Sequence, residues 1–131
     1  MLKTGILNPE VLQLMGRFRH TNTIVIADRG FPFWPTIPTI DLSLIDNIPT
    51  VRQVLEALLP NCVVGHAYMA QEFRHPNDTR VVAELEELLE AHGIKHNYEP
   101  HLEFKKRTLS AIGLIRTGDT TQFANIILES A

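Results

Sequence analysis

The run from Gly16 to Pro35, GRFRHTNTIVIADRGFPFWP, decides how the rest of the chain is read. Its centre, Thr23-Ile24-Val25-Ile26-Ala27, is dominated by β-branched residues and bounded by polar turns, which is the pattern of a buried strand. Each mouth of that strand carries a group that apolar packing does not ask for. His20 lies in the turn before it and Asp28 in the Asp-Arg-Gly turn after it. The pair is a candidate for proton transfer, because an imidazole both gives and takes a proton near neutral pH.

Distance limits how the two groups cooperate. They stand eight positions apart, and at about 3.3 Å per residue an extended path separates them by more than ~20 Å. Either the Arg19 to Asn22 turn folds back sharply, or His20 of one subunit meets Asp28 of another. The second arrangement makes an oligomer a condition of activity.

Working outward from this strand, Asn8-Pro9-Glu10 marks a helix start, with Asn as the cap and Pro at the first helical position. Val11, Leu12 and Met15 are expected on its inner face, and Gly16 is expected to end it. On the other side, Phe31 to Pro38 holds three prolines and the only tryptophan, so an ordered but irregular loop is expected. Thr39 to Leu44 then alternates like a strand, and Asp46-Asn47 marks a turn. Thr50 and Gln53 have the spacing of a capping box, and Val51, Val54, Leu55 and Leu58 recur at helical intervals until Pro60.

Cys62 to Met69 is the next strand expected, and His75-Pro76-Asn77-Asp78 breaks the chain after it. A helix from Asp78 to His92 follows, with Gly93 as its C-cap. It turns Val81, Val82, Leu85, Leu88 and Leu89 inward, and its glutamates form a solvated face. Ile94 to Tyr98 suggests a short strand, Pro100 opens a helix through His101, Phe104 and Leu109, and Ala111 to Ile115 is again strand-like. After a turn at Thr117-Gly118-Asp119, Phe123 to Leu128 is expected as a closing strand, with Phe123, Asn125 and Ile127 on one face and Ala124, Ile126 and Leu128 on the other. Strands alternating with helices, without repeat or linker, predict one α/β sandwich domain over residues 1–131.

Composition excludes several classes. With 44% hydrophobic and 21% charged residues and a net charge of -3, the chain lacks the basic footprint of a nucleic-acid binder. The single cysteine, Cys62, has no internal partner and sits beside Val63 and Val64, so a packed thiol in a reducing, cytoplasmic setting is expected. The first residues lack a secretory pattern, and no apolar run approaches the ~18 residues of a membrane span. There is no Gly-rich phosphate motif, nucleophile elbow or cysteine pair. His66, His75, His92 and His96 are scattered, and nothing marks Ser43 or Ser110 as activated, so neither a metal nor a cofactor is expected.

Two further polar groups stand out. His101 at a helix start would be held neutral by the helix dipole, or would simply be an exposed helix-end residue. Asn125 in an apolar segment needs partners for both ends of its carboxamide, supplied either by a ligand or by the fold.

Taken together these residues resemble the family of D-ribose pyranases and L-fucose mutarotases, which interconvert sugar ring forms. The resemblance runs nearly the full length. It is carried by LKTGILNPEV near the start, by the stretch from Gly16 to Pro32, by IDLSLIDNIPTVRQVL from Ile40, by His101 with Phe104-Lys105, and by IRTGDTTQFANIIL from Ile115. The Gly-Phe-Pro after Arg29 lies closer to the ribose branch.

The resemblance implies a sandwich fold of the ribose-pyranase type that assembles into pentameric rings or decamers, with sites shared between subunits. It makes His20 the catalytic acid/base and Asp28, His101, Phe123, Ala124 and Asn125 substrate-binding, with a monosaccharide as substrate and no metal or cofactor. One position departs from the family: Phe123 stands where a tyrosine is usual. A sugar-binding or transport-accessory protein with weakened or lost catalysis is therefore the alternative, and a ligand-free oligomeric scaffold the blander one. Trp34 would either stack on a sugar face or seal a subunit contact.

Overall fold

A computed structural model describes residues 1–131. Helix α1 (Pro9–Arg17) begins where the Asn8 side chain accepts the N–H groups of Glu10 and Val11, both at 3.0 Å. It passes through Gly16 and ends on Phe18, so Gly16 is not its terminus. Its buried pair is Val11 with Leu14, and Leu12 is exposed. The reason lies in the sheet: a Cβ on Gly113 would come within 2.6 Å of the Leu14 side chain, so the bare glycine is the seat that Leu14 occupies.

Strand β1 (Thr23–Ala27) has the bounds read from its β-branched run, and every residue in it is buried. Strand β2 (Thr39–Asp41) is shorter than the alternation suggested. The Asp41 carboxylate accepts both the backbone N–H and the hydroxyl of Ser43, which turns the chain away from the sheet. Helix α2 (Val51–Leu58) opens with the expected capping box at Thr50 and Gln53 and runs into a single 3-10 turn, Leu59–Asn61.

Strand β3 (Val64–Ala70) starts two residues later than expected and is followed by a 3-10 turn, Gln71–Arg74. Helix α3 (Thr79–Ala91) is capped by Asp78. At its end Gly93 takes φ +68°, which lets Gly93 N–H reach Glu90 O and Ile94 N–H reach Leu89 O. Val81 is exposed rather than inward, and Leu88 is half-buried. Strand β4 (Lys95–Glu99), helix α4 (His101–Thr108), and strands β5 (Gly113–Arg116) and β6 (Ile126–Ser130) complete the chain.

The six strands form one mixed sheet in the order β2-β5-β1-β6-β3-β4. Strands β2, β5 and β1 run parallel, β6 lies antiparallel between β1 and β3, and β4 is parallel to β3. Side-chain alternation divides the interior. Ile24, Ile26, Met69, Ile115, Ile126 and Leu128 face α1, α2 and α3, whereas Val25, Ala27, Ala70, Leu114 and Ile127 face α4 and the loop after β1. Helix α4 is mostly polar and is held by Phe104 and Thr108, both fully buried. Burying one phenylalanine stabilises by roughly 1.5–3 kcal/mol, enough to seat a two-turn helix. The result is a single α/β sandwich, helices covering both faces of one sheet.

The largest departure from expectation is at the closing strand, which starts at Ile126. Phe123 instead lies in a turn with φ +57°, so pleat alternation does not govern Phe123 and Asn125. Just upstream, Thr117 donates both its backbone N–H and its hydroxyl to Ala27 O, at 2.9 and 2.8 Å. Gly118 then meets the Ile45–Pro49 loop so closely that a Cβ there would stand 2.2 Å from Ile45 O.

Candidate functional site

Parallel strands β1 and β5 end at one edge of the sheet, and antiparallel β6 begins there. Such an edge is where open α/β sheets place their ligands. A cavity of about 520 Å³ opens at it, walled by Asp28 to Pro32, by His101 and Lys105 of α4, and by Asp119 to Phe123 with Asn125.

Asp28 caps its own turn, its Oδ1 accepting Gly30 N–H at 2.8 Å. Its backbone N–H donates to Asn125 Oδ1, also at 2.8 Å. Burial raises the Asp28 carboxyl above the usual carboxylate range and the charge of Asp119 adds to this, while hydrogen bonding by Gly30, Asn125 and Phe31 opposes it. Asn125 is itself buried, at 4% exposure, so its carboxamide serves two ends. The oxygen locks the backbone of Asp28, and the amide end favours the ionised Asp28 carboxyl.

His101 is the first residue of α4, and its backbone N–H donates to the Glu72 carboxylate at 3.0 Å. The ring lies parallel to Phe104 at 6.3 Å and edge-on to Phe123 at 5.2 Å. This packing leaves Nδ1 buried without a partner. Burial lowers the imidazole pKa, and the ammonium of Lys105 lowers it further, so the ring is neutral at neutral pH and presents a lone pair as well as an N–H. The backbone twist at Phe123 is what swings its ring against His101. Ala124 is buried and turns its methyl the other way, into a smaller cavity of about 190 Å³ between α2 and α3.

Four of the expected site residues thus converge: Asp28, His101, Phe123 and Asn125. His20 does not join them. It is exposed in the turn at the opposite end of β1, where Thr21 N–H donates to Ser130 O and Arg19 N–H to Asn22 Oδ1. The turn does not fold back along the strand. Of the two arrangements that distance allowed, the single-chain one is not adopted.

Two residues of the site escape a reading of the pattern. Lys105 was legible in principle, since four positions from His101 puts both on one helix face. Asp119 was not. Its buried carboxylate accepts Val51 N–H at 2.9 Å and Thr121 N–H at 2.8 Å, and its carbonyl accepts Arg29 N–H at 3.1 Å. One residue therefore fastens the start of α2, the loop before β6 and the Asp28 turn. No group of three His, Cys, Asp or Glu side chains converges to hold a metal ion. The cavity instead offers a carboxyl, a neutral imidazole, an amide and an ammonium around aromatic edges, donors and acceptors mixed as a molecule with several hydroxyls requires.

Comparison with known proteins finds relatives over the full length of the chain. The model of the RbsD / FucU transport protein family matches residues 1–131. A D-ribose pyranase of Bacillus licheniformis is 39% identical over 130 residues, 99% of this chain and 97% of that one. The solved structure of Bacillus subtilis RbsD complexed with D-ribose is 34% identical and covers 100% of this chain and 98% of its own, with a TM-score of 0.92. The fucose mutarotase of Streptococcus pneumoniae, solved with L-fucose, is 20% identical over 99% of this chain and 98% of that one, with a TM-score of 0.80, a likeness of fold.

Proposed function

The chain belongs to the RbsD / FucU transport protein family, and from that membership we propose that it is a cofactor-independent sugar ring-form isomerase acting on ribose or a similar monosaccharide. The observation that carries the proposal is the cavity itself. Asp28, a neutral His101 and Asn125 converge in it, in a fold that superposes on a chain solved with D-ribose. Curated relatives named D-ribose pyranase support the same reading.

The reaction moves protons only. A base takes the proton of the anomeric hydroxyl, the bond from the anomeric carbon to the ring oxygen breaks, and an acid protonates that oxygen. The open-chain aldehyde then closes on another hydroxyl or on its other face, which returns both protons. In our reading His20 is the acid/base, Asp28, His101 and Asn125 hold the hydroxyls, and Phe123 and the Ala124 backbone close the pocket as one mutarotase-like domain over residues 1–131.

Because His20 stands across β1 from the cavity, we take it to act in the site of a second copy. The assembly is then a homo-oligomer, with pentameric rings or a decamer as its form. A cytoplasmic location fits the lone, half-buried thiol of Cys62. No helix is long and apolar enough to cross a membrane.

Saturation-transfer NMR on D-ribose tests the activity. Exchange between pyranose and furanose signals is expected to accelerate with the protein and to return to the uncatalysed rate with His20→Ala. Calorimetric ribose binding without any exchange would mark a binding protein instead. The shared site has its own test: co-expressed His20→Ala and Asp28→Asn chains, each inactive alone, should recover part of the activity in mixed oligomers. Recovery would not occur if both residues served one chain's pocket.

A further inference from the structure

We propose that His101 is a fixed hydrogen-bond donor in the reaction: its single ring proton stands on Nε2, facing the cavity, and neither leaves the ring nor is joined by a second. The role rests on the isomerase reading above, whereas the place of the proton follows from packing alone. A neutral imidazole carries one N–H and one lone pair, and only the group on the cavity side can meet a sugar. Nδ1 is buried beyond the reach of solvent or ligand and has no partner in the protein. Nε2, across the ring, is the accessible nitrogen of a residue on the cavity wall.

The buried nitrogen decides the tautomer. An N–H group without an acceptor is among the rarest of buried polar groups, whereas an unused lone pair is borne more often. No acceptor is offered at Nδ1. The Glu72 carboxylate, which could have accepted from the ring, gives both oxygens to the backbone N–H of the same residue, at 3.0 and 3.3 Å. The rings of Phe104 and Phe123 that pack against the imidazole offer only the weak acceptance of an aromatic face. The lone pair therefore belongs on Nδ1 and the proton on Nε2.

The same packing bars a second proton. An imidazolium would carry an N–H on Nδ1 as well, where none is satisfied. Burial and the Lys105 ammonium disfavour the charged ring, and they outweigh Glu72 and Asp28, which favour it. With its lone pair buried, His101 cannot take the proton of the anomeric hydroxyl, and a neutral imidazole is far too weak an acid to give one up near neutral pH. What remains is a directed N–H, held by the Glu72 bond at the start of α4 and by two aromatic rings. Its partner in the reaction is the sugar oxygen on which negative charge gathers as the anomeric proton leaves. A preorganised neutral donor lowers the barrier there without moving a proton of its own.

Magic-angle-spinning NMR of the assembled protein, with isotope-labelled histidine, reads the proton directly. Nε2 is identified by its bond to Cδ2 and Nδ1 by its bond to Cγ, and the His101 signals by their loss in His101→Gln or His101→Asn. At neutral pH without ligand, Nε2 is expected as N–H and Nδ1 as a bare nitrogen. A proton on Nδ1, alone or in an imidazolium, would overturn the proposal whether or not the protein is an isomerase. Ribose exchange in the two variants reads the role. The Gln carboxamide carries its N–H₂ to about the position of Nε2 and the Asn carboxamide to about that of Nδ1, and neither titrates. His101→Gln should therefore keep exchange within about tenfold of the parent, and His101→Asn should lose about a hundredfold. Exchange in His101→Gln as slow as in His20→Ala would make the ring a proton carrier, and equal rates in the two variants would mean that the donor is not used; either result overturns the role. A parent without exchange would remove the role together with the isomerase reading, and the place of the proton would still stand or fall by the spectrum.

Discussion

Replacing Gly118 by alanine puts the loop that carries half of the site under a load that can be worked out from contacts. The new Cβ would stand 2.2 Å from Ile45 O, 3.0 Å from Ile48 O and 3.1 Å from Ile48 N, all backbone atoms that no rotamer change can clear. Restoring ordinary contact moves the Ile45–Pro49 segment by more than about 1 Å. That displacement breaks or stretches two hydrogen bonds, Asn47 N–H to Gly118 O at 2.6 Å and Gly118 N–H to Pro49 O at 2.8 Å. Overpacking at about 1–3 kcal/mol and two hydrogen bonds at about 0.5–1.5 kcal/mol each give a loss of roughly 2–6 kcal/mol.

Gly16→Ala is the matched control. That glycine lies inside α1 with nothing within 4 Å of its would-be Cβ. There the same substitution should stabilise by about 0.5–1 kcal/mol, through helix propensity. Urea unfolding of both variants at one fixed protein concentration reads the difference. A Gly118→Ala protein within about 0.5 kcal/mol of its parent, or a Gly16→Ala protein that loses as much as Gly118→Ala, would refute the contact argument.

Three further outcomes are expected. Asn125→Leu leaves the Asp28 N–H without its acceptor and should cost about 1–3 kcal/mol in the same urea assay, together with ribose binding by calorimetry; unchanged stability would mean that water replaces the carboxamide. Asp28 titrates above its ordinary value of 3.8 in the fold, so its protonated form is the one the fold favours. Its contribution is therefore complete below that value and is lost as pH rises through the folded one. The stability of the parent relative to Asp28→Asn should decline as pH rises from below 3.8 through the titration of the folded carboxyl, and a rise would reverse the assigned cause. Phe123→Tyr adds a hydroxyl at the cavity wall and should tighten ribose binding by about 0.5–1.5 kcal/mol and raise the exchange rate seen by NMR; no change would mean that the position only packs against His101.

How much of this was legible depended on whether the cause was local. The bounds of β1 came from its β-branched run, and the starts of α1 and α2 came from capping side chains within a few residues. Strand β2 was overextended because the Asp41–Ser43 hydrogen bonds compete with the ladder, a contest that alternation does not record. Phe123 was read as pleated because its neighbours are strand formers, whereas its left-handed backbone serves the ring packing on His101. Asp28, His101 and Asn125 were each found by asking why a polar group stood where it did. Asp119 escaped that question because the partners that make it a tie, the N–H groups of Val51 and Arg29, belong to remote segments and leave no mark in the sequence. The separation of His20 from Asp28 was a matter of strand length, and the fold preserves it.

The place of β6 bears on the order in which the molecule assembles. Two parallel half-sheets, β2-β5-β1 and β3-β4, meet only through this strand, which follows all the others along the chain. Until it inserts, β1 and β3 each present an apolar edge with open N–H and C=O groups, the kind of edge that recruits strands from other chains. Closure must wait on a pairing between Thr23–Ile26 and Ile126–Glu129, about a hundred residues apart, so folding should be slow and sensitive to protein concentration. Deleting Ile126–Ser130 would accordingly leave two separate half-sheets with exposed seams.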